Sequence, residues 1–294
     1  LIALVTGSAG FLGRHITAAL RRDGWVVYGW DLPEVDALTG FREYTLRPDL
    51  LVHCAAVAPH RAAIDGKALM VGAGNLALDA AMFQWAARAR PGRVVYFSSS
   101  AAYPAAYQTG GRWWARCLAE RHIDLAEPGA PESIYGEVKL MGERLAAAYR
   151  RQGGKVTVVR PFSGYGEDQS SRFPFGAFRD RALARQDPFV IWGDGTQVRD
   201  WIHVDDVVGA TLAAVEHGID GPVNLATGRG VSMAELAAMF CAEAGYDPRF
   251  RLLPDKPAGV AYRVGDPARM REFYEPCISI EEGVRRALAA EVRA

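Results

Sequence analysis

Leu1-Ile2-Ala3-Leu4-Val5-Thr6-Gly7-Ser8-Ala9-Gly10-Phe11-Leu12-Gly13 opens the chain, and the reading of this stretch decides the fold. Residues 1–5 are apolar without alternation, which predicts a strand buried on both faces, as in a parallel sheet. A helical pattern follows through Ile16, Ala19 and Leu20 to Gly24. Gly7, Gly10 and Gly13 therefore stand at a strand-to-helix turn, spaced G-x-x-G-x-x-G. Glycines there permit a tight turn, close backbone approach to a pyrophosphate and close helix packing. The helix N-terminus at Phe11 and Leu12 adds free N–H groups and the positive end of a dipole for phosphate. Trp25 to Trp30 reads as a second strand ending at Asp31, placed to accept from ribose hydroxyls. No Arg directly follows Asp31, which favours NAD over NADP.

Further along, Ser133-Ile134-Tyr135-Gly136-Glu137-Val138-Lys139 opens a helix-like stretch that runs to about Tyr149. The spacing puts Tyr135 and Lys139 on one helix face, one turn apart. An ammonium there favours a phenolate, so the tyrosine can act as a general base or acid near neutral pH. On its own this spacing is common on ordinary helices; the glycine turn upstream gives it weight.

Half of the 294 residues are hydrophobic, ample for a full α/β domain and a smaller lobe. The 34 basic residues balance the 34 acidic ones, which gives no sign of nucleic acid or an anionic membrane as partner. No run is long and apolar enough to cross a bilayer. Leu1 is not an initiator Met, so the chain is read as trimmed at its start, and a removed signal peptide stays open. Cys54, Cys117, Cys241 and Cys277 are scattered, with no zinc-ligand spacing. They could form two disulfides, although Cys54 lies in an apolar run and reads as a packed small hydrophobe. A cytoplasmic, metal-free protein is expected.

Taken together, these motifs resemble the extended short-chain dehydrogenase/reductase superfamily, and within it the nucleotide-sugar epimerase/dehydratase branch typified by UDP-glucose 4-epimerase. The resemblance spans almost the whole chain. Thr6 to Gly13 matches the glycine motif, and Tyr135 with Lys139 the Y-x-x-x-K pair. His53-Cys54-Ala55-Ala56 looks like the H-x-A-A segment that lines the cofactor, and Asn75 like the Asn that opens a long helix. Val94 to Ser100 resembles the strand delivering a catalytic Ser or Thr. Arg160-Pro161-Phe162-Ser163-Gly164-Tyr165-Gly166 is similar to R-x-F-N-x-Y-G, and Gly193 to Asp206 to the G-D-G-x-x-x-R-D signature.

The resemblance implies a Rossmann-type doubly wound parallel sheet with a smaller C-terminal substrate-binding lobe. The NAD-binding domain is expected over residues 1–163, with 200–222 returning to it; residues 164–199 and 223–294 would form the lobe. Gly7, Gly10, Phe11, Leu12, Gly13, Asp31, Ala55, Ala56, Asn75, Ser98 and Pro161 are expected at the cofactor, together with Tyr135 and Lys139. Tyr135 would be the base. Lys139 would support it and hold the nicotinamide ribose. Counting back four residues from Tyr103 selects Ser99 as the serine that donates to the reacting oxygen. Ser99, Ser100, Tyr135, Ser163, Arg199 and Lys256 are expected at the substrate, a nucleoside-diphosphate sugar. Arg199 would hold its diphosphate, because a guanidinium suits phosphate oxygens. Phe173, Phe175 and Trp192 could pack on the base or in the lobe.

Ser100 and Ala101 stand where 4,6-dehydratases carry carboxylates, so dehydration is disfavoured. A nucleotide-sugar 4-epimerase is the first expectation, a 4-ketoreductase using the same residues the second, and a non-catalytic NAD(P) sensor the last. The Ala-rich helices at Asn75 and Tyr135 pair between subunits in relatives, which implies a homodimer. Departures remain: Ser163 replaces Asn, Pro104 replaces Gly, and the stretch 105–119 is long enough to cover substrate. The segment from Asp31 to His53 is too short for the usual third strand; either that element is abbreviated or residues are absent.

Overall fold

Six parallel strands carry the site. In the computed structural model, which describes residues 1–45, 47–57, 66–109 and 117–290, the first half of the chain comprises β1 (Ile2–Thr6), α1 (Phe11–Arg22), β2 (Val26–Trp30), α2 (Ala37–Glu43), β3 (Leu50–His53), α3 (Ala68–Ala89), β4 (Arg93–Phe97), α4 (Ile134–Arg151) and β5 (Val156–Pro161). Then come β6 (Ser163–Tyr165), α5 (Pro174–Leu183), β7 (Phe189–Trp192), β8 (Val198–His203), α6 (Val204–Glu216) and β9 (Gly221–Leu225). The last elements are β10 (Gly230–Ser232), α7 (Met233–Glu243), β11 (Phe250–Leu253), β12 (Tyr262–Arg263) and α8 (Ile280–Ala290).

The main sheet has the order β2-β1-β3-β4-β5-β9 with every pair parallel. Both faces are covered, which is why its strands are apolar without alternation. On one face Ile16 and Leu20 of α1 and Val207 and Val208 of α6 pack on Val5, Val95 and Val223. On the other, Phe83 and Trp85 of α3 and Tyr149 of α4 pack on Leu4, Val94 and Tyr96. This is the doubly wound Rossmann-type α/β fold.

The short connection after Asp31 is an abbreviated element. No strand lies beyond β2 among the described residues; α2, a helix of 7 residues, stands there instead. Asp36 caps it by accepting from Leu38 N–H at 3.0 Å. Phe41 anchors it with its ring 5.3 Å from that of Trp30 and 5.6 Å from that of Trp85.

The smaller lobe is built around β8, which pairs with β10, β12 and β6. Its core is aromatic: the Phe175 ring is 4.3 Å from Tyr165 and 5.0 Å from Phe240. Two boundaries differ from expectation. Residues 223–225, expected in the lobe, belong to the main sheet, because β9 pairs with β5 from Gly221 to Leu225. Residues 200–203, expected with the main domain, continue β8 in the small sheet. All four cysteines are unpaired. Among the described residues no helix is long and apolar enough to cross a membrane, and no group of His, Cys, Asp or Glu could hold a metal ion.

Candidate active site

A cleft of about 1090 Å³ runs between the carboxyl ends of the main strands and the lobe. Its floor is the glycine turn. Gly7 N–H donates to Trp30 O at 2.7 Å and Gly10 N–H to Gly7 O at 3.1 Å, which curls the chain tightly after β1. A Cβ on Gly13 would land on the Gly7 carbonyl, so only glycine lets α1 start this close to the turn. No side chain caps α1, which leaves its first N–H groups to an anion. Asp31 closes the turn from β2: one carboxylate oxygen accepts from Ala9 N–H at 2.8 Å and the other from Leu32 N–H at 2.9 Å. A carboxylate has acceptor capacity beyond these two bonds, enough for ribose hydroxyls. Gly7, Gly10, Phe11, Leu12, Gly13, Asp31, Ala55, Ala56 and Pro161 all line the cleft. Their surroundings fit a dinucleotide: a glycine cradle, a free helix N-terminus and an acidic residue at the next strand's end.

Ser99, Tyr135 and Lys139 meet in the same cleft. Ser133 caps α4 by accepting from Gly136 N–H at 3.4 Å, which starts the helix just before Tyr135. A Cβ on Gly136 would run into the Ala101 carbonyl, so glycine lets α4 dock directly against the loop that carries Ser99. Lys139, one turn on, is buried, with its Nζ 5.9 Å from the Tyr135 ring centroid. Ser99 Oγ accepts from Ala101 N–H at 3.1 Å, which leaves its proton to donate into the cleft.

Three expected residues lie outside the cleft lining, and a fourth, Ser98, is in it with its hydroxyl engaged. Asn75 is buried and does not line the cleft; its amide accepts from Val57 N–H at 3.0 Å and donates to Val57 O and Val71 O at 3.1 and 2.8 Å. It clamps the segment after Ala56. Ser98 reaches the cleft wall, but its hydroxyl donates to Glu143 at 2.5 Å. Ser100 is buried and outside the lining. Lys256 is also outside it, its Nζ 5.9 Å from the Trp192 ring centroid. Phe173 and Trp192 line the cleft, whereas Phe175 is in the lobe core. Of the stretch 105–119, residues 110–116 lie outside the described residues.

Arg199 and Ser163 line the cleft. Arg199 donates to Val198 O at 2.8 Å and Ala258 O at 3.1 Å, which braces the guanidinium. The next residue in the strand faces the other way. Asp200 accepts from Thr227 N–H and Oγ at 2.8 and 2.7 Å, from Gly228 N–H at 2.9 Å and from Gly265 N–H at 3.2 Å. Burial pushes its carboxyl up, and these donors offset part of that. The R-D pair thus splits into a cleft group and a staple for the surrounding loops.

Sequence reasoning missed Arg263, the register partner of Arg199 on β12, which also lines the cleft. Buried Gln108 holds it through its Nε, and Glu132 lies 3.6 Å away. Glu132 is itself a cleft carboxylate close to Tyr135 in sequence, supplied by a different segment from the one after Ser99. No motif marks either residue. Equally hidden was the buried pair in which Arg160 donates to Glu143 at 2.8 and 2.6 Å, tying β5 to α4.

A dTDP-4-dehydro-6-deoxy-D-allose reductase from a Streptomyces species is 30% identical, with 92% of this chain and 90% of the reductase aligned. A UDP-glucuronate 4-epimerase of Thermodesulfobacterium geofontis is 26% identical over 97% of this chain and 94% of the epimerase. Among solved structures, the dTDP-glucose 4,6-dehydratase of Streptomyces venezuelae, with NAD bound, superposes with a TM-score of 0.83 at 25% identity, covering 100% of this chain and 97% of that one. Residues 3–226 match the model of one family across both the glycine turn and the Tyr135–Lys139 helix, and the chain belongs to that family, the NAD dependent epimerase/dehydratase family.

Proposed function

We propose that the protein interconverts the C4 hydroxyl and C4 ketone of a nucleoside-diphosphate sugar, and that it works as a 4-ketoreductase. The observation behind the C4 chemistry is the cluster of Ser99, Tyr135 and Lys139 in one cleft with the glycine turn and Arg199. NAD is the cofactor of the family; when bound, its nicotinamide supplies hydride exchange at the sugar carbon. The chain's own residues manage the proton and the charge. Tyr135 gives its phenolic proton to the C4 oxygen during reduction and removes it during oxidation. Ser99 donates a hydrogen bond to the same oxygen, where negative charge develops. The Lys139 ammonium stabilises the phenolate left behind. Arg199, braced by two carbonyls, takes the diphosphate.

The balance between reductase and epimerase turns on cofactor exchange. An epimerase keeps one cofactor molecule through both half-reactions, whereas a reductase releases it after each turnover. Here the sheet stops at β2, and the adenosine end of the cleft is walled by residues 32–38, with Leu32 exposed. A wall made of one short helix and its connection, in place of a further strand, is the feature we take to favour exchange. The 30% identity to a 4-keto sugar reductase points the same way, although the epimerase was the first expectation from sequence. The epimerase reading keeps support from the UDP-glucuronate 4-epimerase relative. Ser100 and Ala101 offer no acid to a dehydratase, and Glu132 is engaged by Arg263.

The purified protein is expected to lose cofactor on gel filtration and to consume NAD(P)H stoichiometrically with a dTDP-4-keto-6-deoxy sugar. Tightly retained NAD, with C4 epimers of a UDP-sugar equilibrating and no net NADH change, would identify the epimerase instead.

A homodimer and a cytoplasmic setting complete the proposal. Leu69, Met70 and Leu76 of α3 and Ile134 and Met141 of α4 are exposed on paired helices, the kind of apolar face that a second copy covers. Sedimentation equilibrium is expected to give a mass twice the 32.0 kDa of the chain, and Met70→Glu to lower it towards one. A monomer at all concentrations would remove this part.

A further inference from the structure

A buried polar group lies beneath Lys139 and takes no part in the reaction described above. Asp79, on α3, is 1% exposed. Its carboxylate accepts from the Tyr96 phenol at 2.5 Å and lies 3.3 Å from His53 Nε2. His53 Nδ1 is in turn 2.7 Å from Thr6 Oγ1, which accepts from Ala55 N–H at 3.3 Å. These contacts fit an imidazole that donates to Asp79 from Nε2 and shares a hydrogen bond with Thr6 at Nδ1.

Lys139 is the complementary case. It is 3% exposed, and its Nζ sits 5.1 Å from the centroid of the Tyr96 ring, the ring whose hydroxyl binds Asp79. An ammonium so buried needs a nearby anion to stay charged. Glu143, one turn further along α4, is already held by two Arg160 bonds and by Ser98. The other titratable groups around the lysine are Tyr96 on β4, Cys54 just after β3 and Tyr135 on α4, with His53 against Asp79; Glu132, Arg199 and Arg263 also line the cleft. Burial pushes the Asp79 carboxyl up, but the Lys139 ammonium and His53 more than reverse this and hold it below the usual carboxylate range. Burial and then Asp79 itself push the Tyr96 phenol well above its ordinary value, so it stays a donor.

We propose that Asp79 is the counter-ion of Lys139, a positioning residue that acts through Tyr96 to keep the lysine charged and seated beneath Tyr135. It rests on the reading of Lys139 as the partner of Tyr135. The chain of contacts also ends at Ala55, in the cofactor wall, so it joins that wall to the lysine.

The chain has four lysines, Lys67, Lys139, Lys155 and Lys256, so ε-13C-lysine labelling of the full protein gives a spectrum simple enough to titrate. Lys139→Met identifies its signal. In Asp79→Asn the Lys139 ammonium is expected to lose its proton at least about one pH unit lower than in the unmodified protein, a tenfold weaker hold on it. The other three signals stay in place. Asp79→Ser, smaller and equally uncharged, gives the same shift should the Asn variant fold poorly. A Lys139 signal that titrates identically with and without the Asp79 charge overturns the proposal. Because this readout needs no substrate, a shift without any sugar-nucleotide turnover would fault the functional reading and leave the counter-ion standing.

Discussion

Tyr135→Phe is expected to lower kcat by about 10²–10⁴-fold, the range for loss of a positioned general acid or base. The substitution removes one oxygen and leaves the ring, so the packing of Tyr135 with Lys139 at 5.9 Å is kept. The helix start is also unaffected, because Ser133 caps it. Cofactor affinity, read by NADH fluorescence, should therefore stay within a few fold of the parent, and the loss should fall on the chemical step. Single-turnover reduction of a 4-keto sugar nucleotide separates the two. Unchanged turnover in this variant would mean that another group moves the proton. Ser99 is the alternative in the same cleft.

The second large effect is expected from a single carbon. Gly13→Ala places a methyl group on the Gly7 carbonyl, and both partners are backbone. Neither can rotate away. Either α1 withdraws from the turn or the turn opens, and both movements displace the N–H groups proposed to take the pyrophosphate. Affinity for NAD should fall by at least about a hundredfold, and overpacking of this kind costs roughly 1–3 kcal/mol of stability. Gly10→Ala is the internal comparison. Its added carbon would meet Gly7 O at 3.1 Å, a contact that a shift of a few tenths of an ångström relieves, so a much smaller loss is expected. Calorimetric titration with NAD and thermal melts of both variants give the test. Parent-like NAD binding by Gly13→Ala would show that the turn does not hold the phosphates as argued.

The parts of this molecule that were legible in its sequence are those whose chemistry is local. A glycine turn needs only neighbours in the chain, and so does a Tyr and Lys one helical turn apart. The cleft residues Gly7, Gly10, Gly13, Asp31, Tyr135 and Lys139 were readable for that reason. Side chains whose partner is distant in sequence were not. Asn75 gave no local sign that its amide would be filled by Val57 and Val71. Lys256 and Arg263 are both basic residues near the end of the lobe, and only the pairing of β12 with β8 brings the second beside Arg199. Ser98 was more accessible to reasoning. Side chains alternate along β4, and Tyr96 packs on the helix side, so Ser98 was due to face α4 and meet Glu143. Asp79 had no such signal, being one acid in an Ala-rich helix.

The abbreviated element after β2 has a consequence for how the protein behaves at high concentration. With α2 in place of a third strand, β2 is the rim of the main sheet, and Val26 and Tyr28 on it are exposed. A rim strand bearing apolar side chains is a template on which another extended chain can build. Its defences are brevity, at 5 residues, and the proline at position 33 just past its end. The helix that stands in place of a third strand therefore also leaves an adhesive seam. Growth along that seam would be open-ended, unlike the proposed two-fold pairing across α3 and α4, which would close after two copies.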